Sequence, residues 1–287
     1  MAENKPTAPV AKPSGSAHPK KSGNLISWVA PIGCLVAGFI IWRFIMGNPS
    51  NFKSPDPAGG FWPSHRGPIG AFAGIYEGGI IIPILIGMLL MVFTFAIERF
   101  LTVSKATGKG SSDDFIRKVQ YHLANKNVDA ALGECDKQKG SVGNVMKSGL
   151  KKYKEMISNG ELSTEQKLLA IQKEVEEATA LELPMLEKNL VFLSTITSLA
   201  TLVALLGTVM GMIRSFAKLG DESGGAGAAS ELAVGISEAL YNTALGIGTS
   251  ACAMFFYNVF TTRIDGITHG IDESGFTLTQ SFGSLYK

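Results

Sequence analysis

The stretch "ELAVGISEALYNTALGIGTSACAMFFYNVF", residues 231–260, is apolar enough to cross a membrane, yet it carries Glu238, Asn242, Thr243, Thr249 and Ser250. A carboxylate inside hydrocarbon costs on the order of several kcal/mol unless it faces a cavity, finds a partner or is protonated. Glu238 therefore marks a functional or partner-facing site; the simpler alternative is a charge at a span end, resting in the interface. At about 3.6 residues per turn, Glu238, Asn242 and Thr249 fall within about 40° of one another. Thr243 stands roughly 140° from Glu238 and shares its face with Gly246 and Ser250. One straight helix cannot aim both polar faces at the same lumen. One is expected to face a pore and the other a neighbouring helix.

The rest of the chain fits a membrane protein. Its 287 residues include only 17% charged residues, and the mean hydropathy is +0.21, a combination unusual for a soluble protein of this size. The net charge of +2 encourages no nucleic-acid partner. Cys34, Cys135 and Cys252 are odd in number and far apart, so they outline neither a disulfide framework nor a zinc site. The scattered histidines add no metal motif, and there is no GxxxxGK[ST] or GxSxG segment. No enzyme, no catalytic residue, no metal and no cofactor is expected.

The hydropathy pattern predicts an all-α integral membrane protein with four transmembrane helices and a helical soluble segment. Residues 1–23, rich in Pro, Ala, Ser and Lys, read as a disordered tail. A first span covers 25–46, with no small-x-small cleavage site to suggest a signal peptide. A Gly/Pro-rich connector over 47–78 holds Trp62 and Tyr76, aromatics suited to an interface. The second span, 79–103, ends near Glu98-Arg99, a pair for the membrane edge. Residues 104–185 keep apolar positions at helical spacing, and Ser163 with Gln166 resembles a capping box. That cap is expected to start one long helix running into the third span, 186–214. A short loop, 215–231, leads to the fourth span, 232–262, and residues 263–287 are expected to add a short helix.

Lysines set the orientation. The tail holds Lys5, Lys12, Lys20 and Lys21, and Arg99, Lys105, Lys109, Lys173 and Lys188 flank the soluble segment. The connector and the last loop are poorer in cations, although Arg43 and Arg214 run against the pattern. The positive-inside rule then places both termini and residues 104–185 in the cytoplasm. In the third span Ser194, Thr197, Thr201 and Thr208 lie within about 60°, with Gly211 beside them. The plain reading of such a stripe is close helix packing with hydroxyls bonded back to the chain; the functional reading is a lined interior. Gly207, Gly211, Gly246 and Gly248 permit tight approach in a homo-oligomeric assembly bathed in lipid.

At "LLGTVMGMIRSF" (205–216) and "GISEALYNTALGIG" (235–248) the sequence resembles the ExbB/TolQ/MotA proton-channel family, most closely its ExbB branch, with Tyr257-Asn258 also fitting. The resemblance spans roughly residues 75–265. It implies pore-lining roles for Thr208 and Thr243, with Thr197 and Thr201 on the same stripe, and a membrane glutamate at Glu238. It also implies a pentamer in the bacterial inner membrane around a dimer of an ExbD-type single-span protein, which supplies a titrating aspartate. Such a stator converts proton-motive force into work and delivers it through a TonB-type protein to outer-membrane transporters. A TolQ-like or motility stator is the alternative within the family; a secondary transporter or a membrane scaffold is the alternative outside it. Two departures stand out: the extra span at 25–46, and Cys252 where ExbB relatives carry a proline.

Overall fold

The computed structural model describes residues 23–54, 66–221 and 226–286; the expected tail therefore lies outside the described residues except for Gly23. Helix α1 (Gly23–Ile40) passes into a π-helical turn, Ile41–Met46, and a short hairpin pairs β1 (Phe52–Ser54) with antiparallel β2 (Arg66–Pro68). Then come α2 (Ala71–Glu77), α3 (Ile81–Ala106), α4 (Ser112–Ala124), α5 (Val128–Gln138), α6 (Gly140–Ser158), α7 (Thr164–Glu187), α8 (Leu190–Asp221) and α9 (Ala226–Leu285). The architecture is all-α apart from the hairpin. Four helical stretches are long and apolar enough to cross a membrane: Val29–Met46, Ile81–Ala106, and parts of Thr164–Ala217 and Leu232–Leu285.

Helix α1 docks on α3 at two glycines. A Cβ at Gly38 would lie 2.6 Å from Gly87 N and 2.7 Å from Pro83 O, and one at Gly87 would lie 2.8 Å from Leu35 Cδ2. The helices thus meet backbone to backbone, the approach that small residues permit in lipid. The turn after α1 buries Trp42, which stacks on Tyr76 at 4.6 Å and donates from Nε1 to Tyr76 O at 3.2 Å. Phe52 meets Tyr76 edge-on at 5.5 Å. These aromatic contacts fasten both the hairpin and the end of α1 to α2.

Two expectations about helix continuity require correction, and the loop expected at 215–231 is largely helical, with α8 reaching Asp221 and α9 starting at Ala226. The capping box forms as expected, with Gln166 N donating to Ser163 Oγ and Ser163 N donating to Gln166 Oε1. The helix it starts does not run into the next span, however, because the chain breaks at Lys188 and Asn189, the latter at φ +68°. Arg99 is the cause. Its guanidinium donates to Leu186 O at 3.0 Å and Met185 O at 3.4 Å, the carbonyls that a further turn would have used. Asn189 Nδ2 donates to Glu98 Oε2 at 3.2 Å and completes the joint.

The second correction concerns the C-terminus, where no separate short helix forms. Helix α9 continues unbroken for 60 residues, about 90 Å at the usual rise. Ile264, Ile267, Ile271, Leu278 and Phe282 extend one buried stripe at helical spacing, and no proline interrupts it. This half of α9 packs against α4, α6 and α7. Gln120 Nε2 donates to Thr277 Oγ1 at 3.1 Å, Tyr153 meets Phe282 edge-on at 5.0 Å, and a Cβ at Gly275 would lie 2.9 Å from Val175 Cγ1. One helix therefore links the apolar spans to the polar helices.

Candidate functional site along α8 and α9

Helices α8 and α9 form the most extensive helix pair in the fold, and small residues bring them together. A Cβ at Gly211 would lie 2.8 Å from Ala239 Cβ, one at Gly207 3.0 Å from Asn242 Nδ2, and one at Gly246 would collide with Ala204 Cβ. At this distance the hydroxyls of one helix reach the other. Thr208 and Thr243 are hydrogen-bonded through their hydroxyls, and Thr208 Oγ1 also lies 3.1 Å from Ala204 O and 3.4 Å from Ala239 O. Farther along the same seam Ser250 Oγ donates to Thr197 O, while Thr197 Oγ1 bonds back to Leu193 O at 3.0 Å. Thr201, half-buried, lies on α8 between these two crossings.

At one end of the seam, beyond Ser194, a cavity of about 350 Å³ is lined by Glu187, Ser194, Tyr257, Thr261 and Asp265 among apolar side chains. Thr261 Oγ1 is buried there without a hydrogen-bond partner among the described residues. At the other end stands Glu238, half-buried. From Glu238 to Thr261 the helix advances about 35 Å, more than the hydrocarbon thickness of about 30 Å.

The two polar faces of α9 are both covered within the single chain. Thr243, Gly246 and Ser250 meet α8. Asn242 packs against Gly207 of α8 but bonds elsewhere: it is 3% exposed, and its Nδ2 donates to Gly78 O, at the end of α2, at 3.1 Å. Thr249 is buried and bonds back to Leu245 O at 2.8 Å. Neither of these residues joins the hydroxyl seam.

The sequence reading missed Glu77. Burial, and then the negative charge of Glu238, push its carboxyl up from 4.5 to about 7. The available signal was a carboxylate in the otherwise uncharged run "AGIYEGGIII" that enters a span. The acidic pair Glu187 and Asp265 was missed as well, because only the fold brings the end of α7 beside the middle of α9.

Residues 137–273 match the MotA/TolQ/ExbB proton channel family, a stretch reaching from the end of α5 to Glu273 of α9 and holding the whole seam. This segment, just under half of the chain, is what the protein shares with the MotA/TolQ/ExbB family. Over 86 residues it is 40% identical to biopolymer transport protein ExbB-like 3 of Synechocystis sp., covering 30% of this chain and 41% of that protein. Over 143 residues it is 29% identical to the Tol-Pal system protein TolQ of Pseudomonas aeruginosa, covering 50% and 58%. The TolQ of Haemophilus influenzae is 34% identical over 100 residues, covering 34% and 39%. The matches thus span between 39% and 58% of these relatives' lengths. Helices α1 and α2, the hairpin and α3 lie before the matched family domain, so Glu77 reaches the MotA/TolQ/ExbB segment from outside it.

Proposed function

We propose that this chain is a stator subunit of the bacterial inner membrane in which protons pass along the α8/α9 seam and drive mechanical work. The observation that carries this reading is the Thr208–Thr243 hydroxyl pair, set between Glu238 and an acidic cavity on a line long enough to cross a bilayer. A hydroxyl both donates and accepts, so a row of them can hand a proton on or hold a chain of waters. The driving force is about 2.3 kcal/mol per charge per 100 mV. Both termini and residues 104–185 are assigned to the cytoplasm. The chain assembles as a pentamer around a dimer of an ExbD-type single-span protein, whose aspartate exchanges protons beside Thr208 and Thr243. Energy leaves through a TonB-type protein to outer-membrane transporters.

A Tol-Pal role is the second reading, favoured by the TolQ relatives. Deleting the gene separates the two: loss of TonB-dependent uptake with an intact envelope supports the ExbB branch, and a leaking outer membrane with normal uptake supports the TolQ branch. For the path itself, Thr208→Val and Thr243→Val preserve shape and remove the hydroxyls. Each variant is expected to assemble normally and to lose energised transport at least about tenfold, the effect of raising a barrier by about 1.4 kcal/mol. Normal transport in both variants would sink the reading.

A further inference from the structure

We propose that Glu77 is a second proton-bearing carboxylate, which pairs with Glu238 and loads protons into the α8/α9 seam from the α2 side. This rests on the stator reading and adds to it a residue outside the matched family domain.

The pairing is built into the packing. Gly74 lies against the Tyr241 ring so closely that a Cβ there would come within 2.8 Å of Tyr241 Cζ. Gly78 receives Asn242 Nδ2 on its carbonyl at 3.1 Å, and a Cβ on it would lie 3.0 Å from Asn242 Oδ1. Glu77 lies between these two glycines, and Glu238 lies one turn before Tyr241 and Asn242 on α9. Contacts on both sides thus set the end of α2 that carries Glu77 against the turn of α9 that follows Glu238, near enough for the charge of Glu238 to act on Glu77. Tyr76, held by Trp42 and Phe52, keeps α2 in register.

A second observation points to a proton at this place. Asn242 is 3% exposed, its Nδ2 is used, and its Oδ1 has no hydrogen-bond donor among the described residues. A buried acceptor left without a donor costs about 1–3 kcal/mol. A protonated carboxyl, or a water bound to one, is a donor suited to that position; two ionised carboxylates are not.

The charged and titratable groups on the surrounding elements are few. Helix α9 presents Glu238 and Tyr241, and α8 sends Arg214 Nη1 to within 3.4 Å of where a Gly79 Cβ would stand. The π-helical turn carries Arg43, whose guanidinium lies 5.7 Å from the Phe44 ring centre, and β1 carries the exposed Lys53. The charge that acts on Glu77 is that of Glu238, added to burial, and the carboxyl titrates at about 7. Below that pH Glu77 is protonated. Transfer of its proton to the Glu238 carboxylate leaves Glu77 ionised and ready to take another from the α2 side.

The test uses the complex purified through a tag on this chain. Dicyclohexylcarbodiimide reacts with protonated carboxyls in apolar surroundings, and peptide mass spectrometry locates the adduct. Labelling of Glu77 is expected to fall about tenfold between pH 6 and pH 8, as a group with a midpoint at about 7 must. In Glu238→Gln the like charge is gone, so the midpoint moves to lower pH. Absence of a Glu77 adduct at every pH, or an unchanged midpoint in Glu238→Gln, overturns the pairing.

Proton flux into liposomes under an imposed potential then tests the relay. Wild-type flux is expected to change with external pH through about 7, and Glu77→Gln is expected to lower it at least about tenfold and to remove that dependence. If Glu77→Gln keeps the wild-type flux and pH profile while Thr208→Val is inactive, the relay is overturned and the stator reading stands. If wild type conducts no better than Thr208→Val, both fail.

Discussion

Arg99 carries a full charge at 2% exposure, and its environment accounts for it. Its Nε and Nη2 engage both oxygens of Glu98 at 2.6 and 2.5 Å, and Nη1 donates to the last turn of α7. A cation at a helix C-terminus is favoured by the aligned peptide dipoles. Removing one partner of such a pair is expensive because the other remains desolvated. Arg99→Met is therefore expected to cost about 3 kcal/mol, at the lower end for a pair whose carboxylate is partly solvated. Thermal unfolding in detergent would read this as a lowered Tm. The double variant Glu98→Gln with Arg99→Met is expected to recover part of the loss, and a double variant no better than the single one would refute the account. Glu238, Thr208 and Thr243 were legible in the sequence because each is a polar group in an apolar run. Glu77 was not, because its chemistry comes from a carboxylate far along the chain that only the fold brings near.

At the level of elements, the α1–α3 crossing depends on Gly38 and Gly87 rather than on interdigitating side chains. Cys34 Sγ lies 3.5 Å from Thr94 Oγ1 across this interface, which offers a direct probe. In a chain with Cys135 and Cys252 changed to Ser, Thr94→Cys is expected to form a disulfide with Cys34 under mild oxidation. Gly38→Leu, whose side chain would enter the α3 backbone, is expected to abolish that cross-link. Cross-linking that survives Gly38→Leu would show that the two helices do not need this contact. The spans themselves were legible from hydropathy and the α7 start from Ser163 and Gln166. The α7/α8 joint was hidden because its nearest proline, Pro184, lies inside the last turn of α7 and no glycine marks the break itself; Asn189 adopts a left-handed φ that asparagine tolerates, and the partner that stops the helix is on α3. The continuity of α9 was not legible because its far half is less apolar and holds Gly266, Gly270 and Gly275. At Gly275 the missing side chain admits Val175.

For the whole molecule, the arrangement of the apolar faces decides where copies of the chain can meet. Helix α1 and the π-helical turn after it cover part of α3 and leave Ile32, Val36, Ile40 and Phe44 exposed. Helices α8 and α9 also leave apolar side chains uncovered, Leu202, Val209 and Ile213 on one and Leu240, Ile247 and Met254 on the other. In lipid an apolar face gives no hydrophobic drive to associate, so assembly depends on close packing by small residues and on polar contacts. Beyond the residues already used in the seam, such groups stay exposed on both helices, Ser194, Thr195 and Ser198 on α8 and Ala244, Gly248 and Ala251 on α9. On α1 Gly38 is already used against α3, which leaves Gly33 as its exposed glycine among the described residues. The assembly is thus expected to close around α8 and α9 with α1 at the periphery. Native mass spectrometry of a chain lacking residues 1–46 should then give the same number of copies as the full chain, each lighter by the deleted segment. On the stator reading proposed above, that complex is a pentamer holding a dimer of a single-span, aspartate-bearing partner. Collapse of the truncated chain to monomers, with its Tm unchanged, would place α1 between the copies instead of outside them.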